Sequence, residues 1–127
     1  MDKLVVDSSA WIEYFKNVER GILIKKYLDT HEIATTALCV AEITAKFLRE
    51  DLPVEAALDL IRARGIIISV DYALGEQAGK MYVELRKKKP KISLSDTITI
   101  CTAKNNNAKV LAYDNDFTVI PEAIVLK

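Results

Sequence analysis

Apolar runs rich in Val and Ile alternate along this chain with longer segments of helical period, and this alternation constrains the fold more than any other feature. Strands that recur one at a time between helices do not pair as hairpins. They line up through helical crossovers into a mainly parallel sheet with helices packed on its faces. The strand candidates are Leu4 to Val6, Glu32 to Thr35, Ile66 to Val70, Val110 to Tyr113 and Ala123 to Leu126. Between them SAWIEYFKN, a short segment from Ile22 to Asp29, TALCVAEITAKFLRE, PVEAALDLIRAR, DYALGEQAGKMYVELRKKK and SLSDTITICTAKNNN read as helices. Pro53 at a first helical position, Gly65 just past a last turn and Pro90 after a basic C-terminal turn punctuate them. Gly75 and Gly79 form G-x-x-x-G, read here as a close helix-packing contact. The expected architecture is one α/β domain over residues 1–127: three layers, α/β/α, around a mainly parallel five-stranded sheet.

Half of the 127 residues are hydrophobic and 28% are charged, which suits a chain with one continuous core and excludes disorder. The opening MDKLVVDSS has too short an apolar run for a signal peptide, and no stretch approaches the roughly 18 apolar residues of a membrane span. A soluble, cytoplasmic protein with no membrane contact is expected. Eighteen Lys plus Arg balance eighteen Asp plus Glu, so attraction to a polyanion must come from a local patch. Cys39 and Cys101 lie in apolar periodic segments and read most simply as reduced core thiols, with a disulfide between them as the alternative. Four glycines cannot assemble G-x-G-x-x-G or a P-loop, and the lone His31 removes chemistry that needs two imidazoles. If the protein is an enzyme, carboxylates do the work.

In open α/β sheets ligands bind outside the carboxyl ends of the strands. Asp7 follows the run LVV and opens DSSAWIEYF, where it is either a helix N-cap or a ligand at that edge. Asp114 follows VLAY in DNDF, where an Asx turn competes with the same functional reading. Glu42 is the one charged residue from Ala37 to Ala45 and reads as a carboxylate in a buried helix, with Lys46 one turn on as its alternative partner. Asp96 opens SLSDTITICTAK, and Ser93-x-x-Asp96 matches a capping box. A parallel sheet would bring all four toward one edge, where they repel unless a cation is present. All-oxygen ligation selects Mg²⁺ or Mn²⁺ over zinc, and the chemistry it suits is metal-assisted attack of water on a phosphodiester.

The segments VVDSSAWIEYF, TTALCVAEI, LSDTITICTA and VLAYDNDF, in that order and spacing, resemble the PIN-domain ribonucleases, and within them the small VapC-like toxins of toxin–antitoxin pairs. The resemblance implies a parallel five-stranded fold. It also implies an acidic Mg²⁺ or Mn²⁺ pocket of Asp7, Glu42, Asp96 and Asp114, with Asp116 as an outer member and Ser8 as a lining hydroxyl. Ala112 and Cys39 depart from the hydroxyl residues common at their places in that family. The activity implied is a metal-dependent endoribonuclease, and the partners implied are RNA, an antitoxin protein that directs a basic side chain at the carboxylates, and a second copy in a homodimer. Two alternatives are a PIN-fold RNA-processing nuclease without an antitoxin and a non-catalytic RNA- or protein-binding module. For substrate binding, the concentrated basic patch is RKKKPK, with Arg86, Lys87, Lys88, Lys89 and Lys91, which either contacts phosphates or complements a helix C-terminus.

Overall fold

The computed structural model describes residues 2–126, apart from the side chains of Asn115 and Val119. In chain order it contains β1 (Lys3–Val6), α1 (Ser8–Lys16), α2 (Val18–Thr30), β2 (Glu32–Thr36), α3 (Ala37–Arg49), α4 (Val54–Arg64), β3 (Ile66–Ile68), α5 (Tyr72–Lys88) and α6 (Leu94–Asn105). There follow β4 (Lys109–Ala112), a 3₁₀ turn (Asn115–Val119) and β5 (Ala123–Val125). The strands form one five-stranded sheet in the order β3-β2-β1-β4-β5, and every pairing is parallel. From β1 the chain builds outward through β2 to β3, then returns to place β4 on the other side. The carboxyl ends of β1 and β4 therefore flank the point where strand order reverses, the place where open α/β sheets bind ligands.

The alternation along β1 sorts the core into two layers. Leu4 and Val6 point into a cluster with Trp11, Ile24, Ile43, Phe47 and Ile61, built by α1 to α4. Val5 points the other way, toward Ile92, Ile100, Ala103 and Phe117, beneath α5 and α6. A central strand buried on both faces has no polar side to show, and LVV is accordingly an uninterrupted apolar run. Trp11 is fully buried and donates its Nε1–H to Thr35 Oγ1 at 3.0 Å, which satisfies the indole and ties α1 to β2. Cys39 and Cys101 are both free and buried, as expected. Among the described residues no helix is long and apolar enough to cross a membrane.

Three local expectations change. The second helix begins at Val18, well before Ile22, because the Asn17 side chain accepts from Arg20 N and caps it. Gly21 stays helical there, since a Cβ would stand 3.0 Å from Tyr14 O in the facing helix. The third strand stops at Ile68, whose partner Thr36 is the last residue of β2, so the chain beyond it has no strand to pair with. Gly75 and Gly79 make no close packing contact: a Cβ at either would meet nothing within 4 Å.

Candidate active site

Asp7 is the first residue beyond β1. Its N–H donates to Leu111 O of β4 at 2.9 Å, which continues the ladder one step past the strand end. Its side chain caps α1: Asp7 Oδ2 accepts from Ser9 N at 3.0 Å and from Ser9 Oγ at 2.6 Å. Ser9 Oγ in turn accepts from Tyr113 N at 3.0 Å. One hydroxyl thus joins the carboxyl ends of β1 and β4. The sequence reading placed the lining hydroxyl at Ser8, which is half-buried at the first position of α1. An N-cap side chain bonds the N–H two or three positions into its helix, and that spacing points to Ser9.

Asp96 enters from α6. Ser93 Oγ accepts from Asp96 N at 3.0 Å while Asp96 Oδ2 accepts from Ser93 N at 3.2 Å, so the expected capping box is complete. The helix start that fixes Asp96 also leaves its carboxylate 8% exposed and beside other acids. Glu42 projects from α3 and is half-buried, in a helix whose Ala37, Ala41 and Ala45 face solvent, so that helix is not buried all round. Lys46 pairs with Glu50 at 2.9 Å and not with Glu42. The partner of Glu42 is Ser95, whose Oγ donates to Glu42 Oε1 at 2.8 Å and links α3 to α6. Nothing local in the sequence signals that contact, because the two residues lie 53 positions apart.

Asp114 follows β4 and caps the 3₁₀ turn, with Asp114 Oδ1 accepting from Asp116 N at 2.9 Å. That is the Asx turn the sequence allows. The turn also brings Asp116 inward, so that carboxylate oxygens of Asp96, Asp114 and Asp116 lie within 4.8 Å of one another. Asp7 stands near enough to Asp96 and Glu42 for both to raise its proton affinity. Asp7, Asp96 and Asp114 are thus structural caps as well as members of the acidic group.

Electrostatics records that convergence. Burial, with smaller contributions from Asp96 and Glu42, pushes Asp7 up to about 6, although the two bonds from Ser9 oppose the rise. Asp96 is also raised, first by burial and then by Asp114 and Asp116, against the bonds from Ser93. Burial pushes the Cys39 thiol up to about 11, and Asp7 adds to the effect. Cys39 is therefore an uncharged wall of the pocket, held 3.7 Å from Thr99 Oγ1. Among the described residues none of the five acids forms an ion pair.

A hard divalent cation fits this donor set. Every ligand offered is oxygen, and opposite oxygens around a small cation at ~2.0–2.1 Å stand about 4 Å apart, close to the span of the Asp96, Asp114 and Asp116 oxygens.

The basic run lies at the end of α5 and in the turn that leads to Ser93. Arg86 lies over the Tyr82 ring, 5.3 Å from its centroid, and its Nη1 donates to Tyr82 OH at 2.7 Å; Lys87 pairs with Glu84 at 3.1 Å. Lys88 ends α5, Lys89 caps it with its N–H on Leu85 O, and Lys91 is exposed two residues before Ser93. Two of the five cations are thus engaged locally, whereas Lys88, Lys89 and Lys91 form no ion pair among the described residues.

Known proteins share this fold. A computed family model of the PIN domain matches residues 4–123. Solved structures with this fold include VapC20 of Mycobacterium tuberculosis, a sarcin–ricin loop cleaving toxin, at 19% identity and TM-score 0.76, covering 98% of each chain. DNA-bound VapBC of Salmonella typhimurium is 19% identical with TM-score 0.73, over 99% of this chain and 98% of that one. A toxin–antitoxin complex from Klebsiella pneumoniae is 18% identical with TM-score 0.72, over 98% and 97%. No curated protein sequence matches the chain. At these identities the structural likeness speaks for the fold, and the family model spans nearly all of the sequence: the chain belongs to the PIN domain family.

Proposed function

We propose that residues 1–127 act as a single metal-dependent endoribonuclease domain, the toxin of a toxin–antitoxin pair. The observation that carries this reading is the acidic group at the sheet's reversal point: oxygens of Asp96, Asp114 and Asp116 lie within 4.8 Å of one another, Asp96 and Glu42 are near enough to raise the proton affinity of Asp7, and none of the five acids forms an ion pair among the described residues. Such a cluster is suited to hold Mg²⁺ or Mn²⁺. When bound, a divalent ion acidifies water and offsets the charge that develops on phosphoryl oxygens.

The chain's own groups supply position. Asp96, Asp114 and Asp116 would hold the cation, with Asp7 and Glu42 as neighbouring carboxylates. Ser9 occupies Oδ2 of Asp7 and leaves Oδ1 open, either to ligate or to accept a proton from water attacking phosphorus. Ser95 orients Glu42 in the same manner. Lys88, Lys89 and Lys91 contact the RNA backbone and favour no sequence. Ser8, at the mouth of the pocket, contributes a substrate-facing hydroxyl.

An antitoxin partner is supported by the toxin–antitoxin complexes among the structures of similar fold. A cavity of about 540 Å³ between α1, α3 and α4, lined by Phe15, Phe47, Leu52, Pro53, Ala57 and Leu60, suits an apolar segment of such a partner. It lies away from the carboxylates, so it is read as a protein groove and not as the chemical site. The toxin functions as a homodimer.

The deciding experiment is cleavage of single-stranded and looped RNA with Mn²⁺ or Mg²⁺. Asp96→Asn and Glu42→Gln, which remove charge at nearly constant shape, should abolish cleavage while the circular dichroism of the fold is retained. Undiminished cleavage in EDTA, or by both variants, rejects the reading.

A further inference from the structure

Tyr113, between β4 and Asp114, has its N–H held by the Ser9 hydroxyl that also grips Asp7, so the residue is tied to the acidic edge. Its ring packs on the α1–α2 side of the core, and its hydroxyl is buried with no hydrogen-bond partner among the described residues. What meets the ring face is a cation: Arg20, in the first turn of α2, has its guanidinium carbon 5.1 Å from the ring centroid. Arg20 also pairs with Glu13 of α1 at 3.0 Å, yet its side chain remains 43% exposed and that of Glu13 29%. A guanidinium has five N–H donors, and stacking on an aromatic ring with one carboxylate at its side leaves most of them for another acceptor.

The flank matters. The basic run ends α5 in one helical layer, whereas Arg20 stands in α2 of the other and reaches the acidic edge through the Tyr113 ring, whose N–H is held by Ser9. We propose that Arg20, steadied on the Tyr113 ring, binds a backbone phosphate of a single-stranded RNA that crosses the carboxyl edge of the sheet, and that Glu13 occupies Arg20 until the phosphate replaces it. This rests on the nuclease reading for its substrate class and adds a second, opposite contact to it. The exchange is favourable because a phosphate presents two oxygens to the planar fork and releases counterions on binding, whereas Glu13 stays partly in water.

The test measures binding of a fluorescent single-stranded RNA at several salt concentrations, with Asp96→Asn as the parent so that nothing is cleaved. Arg20→Met keeps an apolar stem on the Tyr113 ring and should weaken binding about 10-fold or more, while lowering the salt slope by about 0.7, the loss of one single-strand phosphate contact. Glu13→Gln should tighten binding. With Asp96 restored, Arg20→Met should raise KM and leave kcat near its parent value. Equal binding and an unchanged slope for Arg20→Met, or weaker binding for Glu13→Gln, overturns the proposal. In that case the pair is packing alone, even if cleavage by the unmodified protein upholds the nuclease reading. Conversely, Arg20-dependent binding without any cleavage retains this contact and rejects the nuclease.

Discussion

Asp7 shows how one residue carries two duties. As an N-cap it stabilises α1, and as one of five converging acids it is costly to ionise. Because its folded value, about 6, lies above the ordinary 3.8, the folded chain binds more protons than the unfolded chain between those limits. The penalty is absent below about pH 3.8, grows as pH rises, and is complete above about pH 6, where it amounts to roughly 3 kcal/mol. Asp96 is raised too and contributes with the same sign. Asp29 and Glu50 are held low by exposed lysine and arginine partners and act in the opposite sense. Their contribution cancels when two variants are compared. In urea titrations with EDTA, Asp7→Asn, which keeps a capping oxygen, should therefore be more stable than the parent at pH 7 and equal to it near pH 4. A variant less stable than the parent at both values would mean that Asp7 is a cap alone. Asp7, Asp96 and Asp114 stood out because each stands where a strand ends or a helix begins, and Glu42 because it is the one charged residue from Ala37 to Ala45. Ser95 was not, since its contact with Glu42 exists only after α3 and α6 pack.

The glycines bring the same question to the scale of elements. Gly75 and Gly79 sit inside α5 with open space where a Cβ would go, so they weaken the helix with no packing in return. Gly75→Ala and Gly79→Ala should each raise stability by about 0.5–1 kcal/mol in thermal melts, without altering RNA cleavage. Gly65 is the opposite case. It caps α4 in an ordinary extended conformation, and a Cβ there would stand 2.4 Å from Ile33 O of β2. Gly65→Ala should cost about 1–3 kcal/mol by pushing α4 off the sheet. A stable Gly65→Ala, or destabilised helix variants, would contradict this assignment. The sequence marks all three as glycines, and only the packed fold distinguishes close approach from vacancy. The strands at the sheet centre were read nearly to their ends because apolar runs such as LVV are long relative to their flanks. The 3₁₀ turn was not read, because DNDF looks like a simple turn until Asp114 and Asp116 are seen to share it.

Over the whole molecule a net charge of zero conceals an uneven distribution, with an acidic group at the sheet's reversal point and a basic run ending α5. The acidic group makes the metal-free protein a compromise between caps that need their carboxylates and carboxylates that repel. A cation that binds only the folded chain should add about 2.7 kcal/mol of stability when free metal is a hundred times its dissociation constant. We expect Asp96→Asn to melt at or above the parent in EDTA and to gain little from Mn²⁺, whereas the parent should gain markedly. An apo melting temperature clearly below the parent, with an undiminished Mn²⁺ response, would place Asp96 outside the site. The hydrogen bonds described above carry this coupling into the backbone. The N–H groups of Ser9, Ser93 and Asp116 point at the same carboxylates that would share their electrons with a metal. If a metal binds these carboxylates as proposed, its occupancy and the anchoring of three chain segments would be a single equilibrium, legible at the starts of α1, α6 and the 3₁₀ turn.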